Sequence, residues 1–572
     1  MASEPASAWR IWLLPLAILL GFAVAVYAIT YAVDLGGSPG WLIALYRDRG
    51  AAADTIGNAG EIVAGVLGIA ITVVAIIVEL ASNRYTHRVT ELFVAEPINF
   101  AVMGFFVVTA LQALLVGVSL PDAAAGDGAF PFAGVTVSLL LLALCLLILL
   151  PYFAFVFDFL NPIQIVDRIR AHAMKIIGQT SKHSVKARQT EAVRGVEQLA
   201  DIGVNAMEHK DKGISMASVD ALKAMVLEYQ DVRGRLEDEW FRVEGELAHN
   251  PDFVSMSHEV LDAVSSRRIW FEMKVLRKYQ TLYNEALNKM RDINYLIAIN
   301  TRHLAEHALE TGNDQLFELL VKFFNTYLRA TVNARDVRTA YNVLHQYRLL
   351  AESALAHDDG AKAIEIARYF KYYGLVSYNA KLPFILETVA YDLCALNEMA
   401  FDEGSKAIRE LLRIFLQVDK ESESEVQEVS LRGVRKAQCK LATYYLAHGD
   451  LDRAQDIFRD MERERRDRLG SIRDELLGVR SSEFWEISDR GVNFDYLPSD
   501  RKSKLLEFFS WFEDLPPLNV SMMPPEEAEP SPADLVAARS ESVRQREDHT
   551  LHDVPGAGAD PGSDEVVIPP EA

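Results

Sequence analysis

Cysteine is scarce in this 572-residue chain. Cys145, Cys394 and Cys439 stand far apart, so they offer neither a disulfide framework nor the paired spacing of a zinc site. Positive charge is also short. With 58 Lys and Arg against 80 Asp and Glu the formal net charge is −22, which argues against nucleic acid as a partner, because neutralising phosphates takes clustered cations. No Walker A loop, no G-x-G-x-x-G after a strand, no G-x-S-x-G elbow and no kinase set occurs. The expectation is a chain without enzymatic activity and without a cofactor.

What is present is length in two unlike halves. Four apolar runs come first: Ile11–Ala32, Ile62–Val78, Phe100–Leu120 and Phe132–Val156. A hydrocarbon layer of about 30 Å takes about 20 helical residues to cross, so residues 1–160 are expected to form a four-span transmembrane domain. The first run is longer than a signal-peptide core and no A-x-A-like site follows it, so it is expected to be an uncleaved anchor. Arg10, Arg84, Arg88 and the segment after the fourth run carry the flanking cations, while the loop Pro121–Gly128 has none. Arg47 and Arg49 are offset by neighbouring acids. The positive-inside rule then predicts that both termini are cytoplasmic. Pro151 is expected to kink the fourth span, because it removes a backbone donor.

Polar groups at membrane depth mark ion paths when they have no structural use. Glu61 and Glu79 bracket the second run, Gln112 lies within the third, and Asp158 ends the fourth. Their plain reading is that the carboxylates sit among headgroups and Gln112 bonds a neighbouring helix. The functional reading is a pore lined by the second span, whose Ala64, Gly65, Gly68 and Ala70 would let helices approach closely. Beyond the fourth span, residues 161–195 form a basic juxtamembrane segment with Arg168, Arg170, Lys175, Lys182, Lys186, Arg188 and Arg194. Arg168, Arg170 and Lys175 are the candidates for anionic lipid headgroups; the plain reading is a positive-inside flank.

The run Ile71–Arg88, ending Glu79-Leu80-Ala81-Ser82-Asn83-Arg84-Tyr85-Thr86-His87-Arg88, precedes a span that opens Ala101-Val102-Met103-Gly104-Phe105-Phe106. This resembles the bacterial predicted-membrane-protein family called domain of unknown function 2254. The likeness extends through Ile202–Asn205 and Ser215–Leu222, covering roughly residues 60–225. It implies a multi-pass membrane protein and carries no known activity. The prolines of that family's Asn-containing turn are missing here.

The remainder reads as helix, with apolar residues recurring at three and four. The whole is therefore expected to be all-α: a four-helix transmembrane region, then a cytosolic helical bundle or α-solenoid, then a disordered tail. Within 196–310 the positions Leu276, Tyr279, Tyr283, Ala286, Met290, Ile293 and Ile297 step 3, 4, 3, 4, 3, 4, a heptad seam suited to coiled-coil packing or to a bundle within one chain. In 311–512, Gly312, Gly360, Gly404 and Gly449 sit in polar hinges 48, 44 and 45 residues apart. Each is expected to close one helix before an acid opens the next, giving an α-solenoid of hairpins that resembles tetratricopeptide repeats at a longer period. Residues 513–572, rich in Pro and acids, are expected to be disordered.

His303-Leu304-Ala305-Glu306-His307 matches the H-x-x-E-H string of a metallopeptidase family, with His303 and His307 as metal ligands and Glu306 as base. Its plain reading is coincidence on an amphipathic helix, since no third ligand is signalled. Tyr369–Tyr373 with Arg368 could stack bases, or simply fill a helix core. The leading expectation is a multi-pass inner-membrane protein that presents a cytosolic helical scaffold to a protein partner. The alternative is a homo-oligomeric channel or transporter gated by its cytosolic region.

Overall fold

A computed structural model describes residues 6–46, 48–84, 90, 93–94, 96–120, 130–418, 431–483 and 489–519. Arg47, Arg88, the loop Pro121–Gly128 and the tail beyond residue 519 lie outside these, as do the side chains of Arg10 and Arg84. Among the described residues there are helices and turns and no β-strand, so the chain is all-α. It divides into two units, Met1–Tyr445 and Leu446–Ala572.

The first unit opens with α1 (Ala6–Leu35), a short α2 (Gly40–Leu45), α3 (Arg49–Arg84), α4 (Pro97–Val118) and α5 (Phe132–Phe159). All but α2 contain stretches long and apolar enough to cross a membrane. Helix is the form such segments must take, because only helix satisfies every backbone polar group within one segment. α1 and α3 each pack on α4 and α5. Two glycines set the spacing: a Cβ on Gly104 would lie 2.8 Å from Leu19, and one on Gly134 3.1 Å from Val116. α5 continues on both sides of Pro151.

α3 differs from its expectation. Its 36 residues rise about 54 Å at about 1.5 Å each, well beyond a layer of about 30 Å. Glu61 lies within this helix, as its thirteenth residue. The polar, Ala-rich segment before Ile62 has low hydropathy yet no breaker stronger than Gly, so the helix starts early.

Next come α6 (Pro162–Ile177), α7 (Val185–Glu208) and α8 (Lys212–Arg233), mutually packed. A turn-rich stretch, residues 234–257, comes after them with one 3-10 turn at Asp238–Phe241, then α9 (His258–Ser266) and α10 (Trp270–Ala286). The core here is aromatic: Trp240, Trp270, Tyr229 and Phe271 are buried, with the two indoles 5.1 Å apart.

The heptad seam is not one helix. α10 ends at Ala286, Asn288 turns the chain with φ of 61°, and α11 (Arg291–Glu310) begins after Met290. Leu276, Tyr279, Tyr283 and Ala286 are buried from α10, and Ile293 and Ile297 from α11, in one intramolecular core. The seam thus packs as part of a bundle within one chain.

From here the fold is periodic. α11, α12 (Asp314–Asn333), α13 (Val337–Ala356), α14 (Gly360–Asn379) and α15 (Pro383–Asp402) are each 20 residues long. Each packs on the next, and α11 on α13, α12 on α14 and α13 on α15. Stacked rings run through the core, Tyr283 on Tyr327 at 4.5 Å and Phe324 on Tyr347 at 4.7 Å. Phe370 and Tyr373 of the aromatic cluster join this core. α16 (Ile408–Phe415) completes the run.

The hinges are Gly312, Arg335, Asp358, Lys381 and Gly404, all with φ between 55° and 66° and all 23 residues apart. Gly360 is not among them. Asp358 takes the left-handed position, while Gly360 is the first residue of α14, where a Cβ would lie 2.9 Å from that of Ala407. At every hinge the next residue sends its N–H back to the carbonyl five residues earlier: Asn313 to Ala308, Asp336 to Thr331, Asp359 to Ala354, Leu382 to Ser377, Ser405 to Ala400. This is the closing bond of a Schellman motif. At three hinges the same residue then caps the following helix, Asn313 accepting from Leu316, Asp336 from Thr339 and Asp359 from Lys362, each at 3.2 Å. One residue ends one helix and starts the next.

α17 (Arg432–Ala447) leads into the second unit, with α18 (Leu451–Met461), α19 (Arg466–Gly478) and α20 (Ser499–Phe509). Gly449 has φ of 78° and Asp450 caps α18. These later helices are 11, 13 and 11 residues long, so the 20-residue pattern does not continue to 512. In this unit buried Phe508 and Phe512 join half-buried Phe458 and Trp511 in an aromatic cluster.

Candidate functional site

Within the spans, polar side chains are used between helices. Gln112 of α4 is fully buried and its Nε2 donates to Thr30 Oγ1 of α1 at 3.4 Å. Gln112 Oε1 and Ser138 Oγ are buried without a hydrogen-bond partner. Tyr152 donates to Asn99 at 3.1 Å, linking α5 to α4. Asp34, absent from the sequence-based candidates, reaches from the end of α1 to the first turn of α5. Its only sequence signal is a lone acid closing an apolar run. Glu61 and Glu79 are exposed on α3. Asp158 is exposed at the turn into α6 and accepts from Gln164 at 2.6 Å.

The basic segment is folded into the first unit. Asn161 caps α6, and Arg168 stacks on the Phe159 ring at 4.0 Å while donating to the Phe159 carbonyl at 3.1 Å. This arginine ties the end of α5 to α6. Arg170 pairs with Glu228 of α8 and with Asp167. Lys175 is exposed. Arg188, counted with the basic flank, is fully buried: it donates to Glu237 at 2.5 Å and to the Ile177 carbonyl at 3.3 Å, over the Trp240 ring.

The densest polar cluster lies where α7, α10 and the turn-rich stretch meet. Lys274 is fully buried, with its Nζ 2.6 Å from Glu197, 2.8 Å from the Asn250 side-chain Oδ1 and 2.5 Å from Asp252. Lys278 adds a second cation at 3.2 Å from Asp252. Burial pushes both carboxyls up, but bonds from Asn250 and Lys274 to Glu197, and from Lys274 and Lys278 to Asp252, leave both below the ordinary carboxylate range. Two residues earlier on α10, Glu272 is fully buried with one oxygen bonded to Gln230 at 2.9 Å. Burial outweighs Arg233 and Gln230 there and raises its carboxyl.

Beside this cluster an open cleft of about 780 Å³ separates the start of α7 from residues 239–250, lined by Lys186, Thr190, Glu239, Arg242, Glu244 and Glu246. Gln189 fixes its wall by donating to the carbonyls of Trp240 at 2.9 Å and Arg242 at 3.1 Å. Both charge signs face the cleft.

His303 is exposed on α11, and its Nε2 lies 3.0 Å from Arg302, which also binds Glu306 at 2.5 Å. Partial burial and the Arg302 charge lower the His303 pKa. No group of three metal-ligating side chains occurs among the described residues.

A search of curated proteins returns no match. Among solved structures, a "circular tandem repeat protein with novel repeat topology and enhanced subunit contact surfaces" aligns over 72% of this chain and 96% of its own, at 15% identity and a TM-score of 0.25. The four spans and the helices directly after them, residues 8–226, match the family described as "Predicted membrane protein (DUF2254)", a match that begins well upstream of residue 60 and marks this as a membrane protein.

Proposed function

We propose that this protein is a bacterial inner-membrane anchor, with both termini cytoplasmic, that presents α11–α15 to a protein partner. The observation that carries the reading is the array itself: five helices of equal length at a fixed 23-residue pitch. Such stacks expose long continuous surfaces, and this one holds Tyr372 and Phe384 outward, 48% and 45% exposed. The cation-rich flanks support the orientation. Photo-crosslinking residues placed at Tyr372 and Phe384 of the full chain in native membranes test the reading. A discrete protein adduct from these positions, absent when the probe replaces the exposed Val254, is expected. Adducts with lipid alone, or none, would refute it.

One observation favours a second reading, an oligomeric channel or transporter gated by the soluble helices: Glu61 is exposed partway along a membrane-crossing helix. Ion flux in vesicles reconstituted with the full chain tests this, and silence at every voltage and membrane tension dismisses it.

A further inference from the structure

α3 has two faces. Ile56, Ala59, Val63, Ala70, Val74 and Val78 are buried against the other spans. At about 100° per residue the opposite side is centred on Glu61, Gly65 and Thr72. There the positions Asn58, Ile62, Gly65, Ile69, Thr72 and Ile76 step 4, 3, 4, 3, 4, and all six are exposed. This is a seven-residue repeat that the protein's own spans leave uncovered. Isoleucine alternates along it with a smaller or polar residue.

Its depth is fixed by its neighbours. Arg49 stacks on Phe132 at 5.3 Å, so α3 and α5 start level, and further on Leu67, Ala70 and Ile71 border the same small gap as Leu149 and Tyr152. Glu61, twelve residues beyond Arg49, lies about 18 Å along the axis from that level, inside a layer of about 30 Å. The outward faces of the other spans carry large apolar side chains suited to lipid, such as Leu16, Phe22 and Ile29 on α1 and Leu140, Leu147 and Leu150 on α5. α3 instead turns Asn58, Glu61, Gly65, Gly68 and Thr72 outward. Hydrocarbon offers the Asn58 amide and the Glu61 carboxyl no partner, whereas the Thr72 hydroxyl bonds the Gly68 carbonyl of its own helix at 2.8 Å.

The glycines point the same way. Gly104 and Gly134 bring helices of this protein together, whereas a Cβ on Gly57, Gly60, Gly65 or Gly68 would meet nothing within 4 Å. Small residues in spans serve close approach between helices.

We propose that α3 is a self-association face, against which a second copy of this chain packs its own α3 in parallel. The repeat is self-complementary: in register, each isoleucine of one copy enters the gap over Gly65 or Thr72 of the other, the geometry of a left-handed crossing with a seven-residue period. Asn58, one turn before Glu61, brings an amide donor within side-chain reach of the carboxyl on the second copy. The interface stands or falls independently of partner docking by α11–α15 and of conduction.

Cysteine substitutions at Ile62, Gly65, Ile69, Thr72 and Ile76, made singly in the full chain in native membranes, test the interface. The native Cys145, Cys394 and Cys439 are buried and do not compete. Oxidation is expected to yield a dimer of twice the chain mass from these sites, and little from cysteines at Leu140 or Leu147. Gly65→Leu, whose Cβ meets nothing within the monomer, is expected to raise the dimer dissociation constant about tenfold or more in dilute vesicles. A monomer at every protein-to-lipid ratio, equal cross-linking from α5, an adduct of another mass, or indifference to Gly65→Leu would each overturn the proposal.

Discussion

Asp34 accepts a hydrogen bond from the backbone N–H of Ala133 at 2.8 Å, across almost a hundred residues of chain, and a second from Gly134 at 3.1 Å. The residue at the local cap position, Pro131, makes no side-chain cap. A carboxylate on α1 thus supplies the cap that α5 lacks, and Ser38 holds it at 2.8 Å. Loss of a cap costs about 1 kcal/mol. Asp34→Ala is therefore expected to speed amide exchange at Ala133 and Gly134 and lower the unfolding temperature of the full chain in detergent. Asp34→Asn, which keeps an acceptor, is expected to fall between.

Lys274 holds α7 and the turn-rich stretch together through Glu197, Asn250 and Asp252. Removing one partner of a buried ionic group leaves the others uncompensated, at a cost of about 3 kcal/mol or more. Lys274→Met is expected to destabilise by about that amount and to loosen residues 242–252, seen as faster hydrogen exchange there. The combined change Lys274→Met, Glu197→Gln, Asp252→Asn is expected to recover part of the loss, because no charge is then stranded.

pH acts on α10 in two opposite senses. Glu197 and Asp252 have depressed carboxyls, so their stabilisation is present above ordinary carboxylate values and is lost as pH falls through the depressed ones. Glu272 is raised, so in the window between about 4.3 and its raised value the folded state holds a proton that the unfolded state has released. Stability contributed by that group falls as pH rises. Denaturant midpoints across this window are expected to slope downward for the native chain relative to Glu272→Gln. Parallel curves would show that Glu272 does not titrate there.

The hinges separate glycine from its substitutes. Gly404 has φ of 60°, where a side chain is strained. Gly404→Ala is expected to cost about 1 kcal/mol. Lys381→Gly, at φ of 61°, relieves the same strain while adding unfolded-state freedom, so it is expected to change stability by less than about 1 kcal/mol. Urea unfolding of the two variants compares them directly.

Hydropathy alone located the four spans and the all-α character, because both rest on patterns that local sequence carries in full. Two hinges were invisible for a physical reason. Arg335 and Lys381 hold a conformation usually signalled by glycine, as Asp358 does in the hinge that Gly360 marked, and the bonds that compensate them lie in the backbone of their neighbours. Gly360 was legible as a hinge glycine but serves a close approach to Ala407, two helices further along the chain. The seam at Leu276–Ile297 misled because the turn at Asn288 happens to preserve the 3-4 phase. The early start of α3 was hidden because helix formation does not stop where apolar character stops. The cluster around Lys274 had no sequence signature, since its members come from three segments brought together only by folding.

The sharing of one residue by two consecutive helices leaves no slack in the connections from α11 to α14. A single inserted or deleted residue in that stretch would rotate every later helix by about 100° and turn a buried stripe to water. A length change that keeps the register is a whole step of 23 residues, adding or removing one helix with its hinge. An odd number of such steps would also reverse the direction in which the chain leaves the stack, so that direction is kept only when helices are gained or lost in pairs.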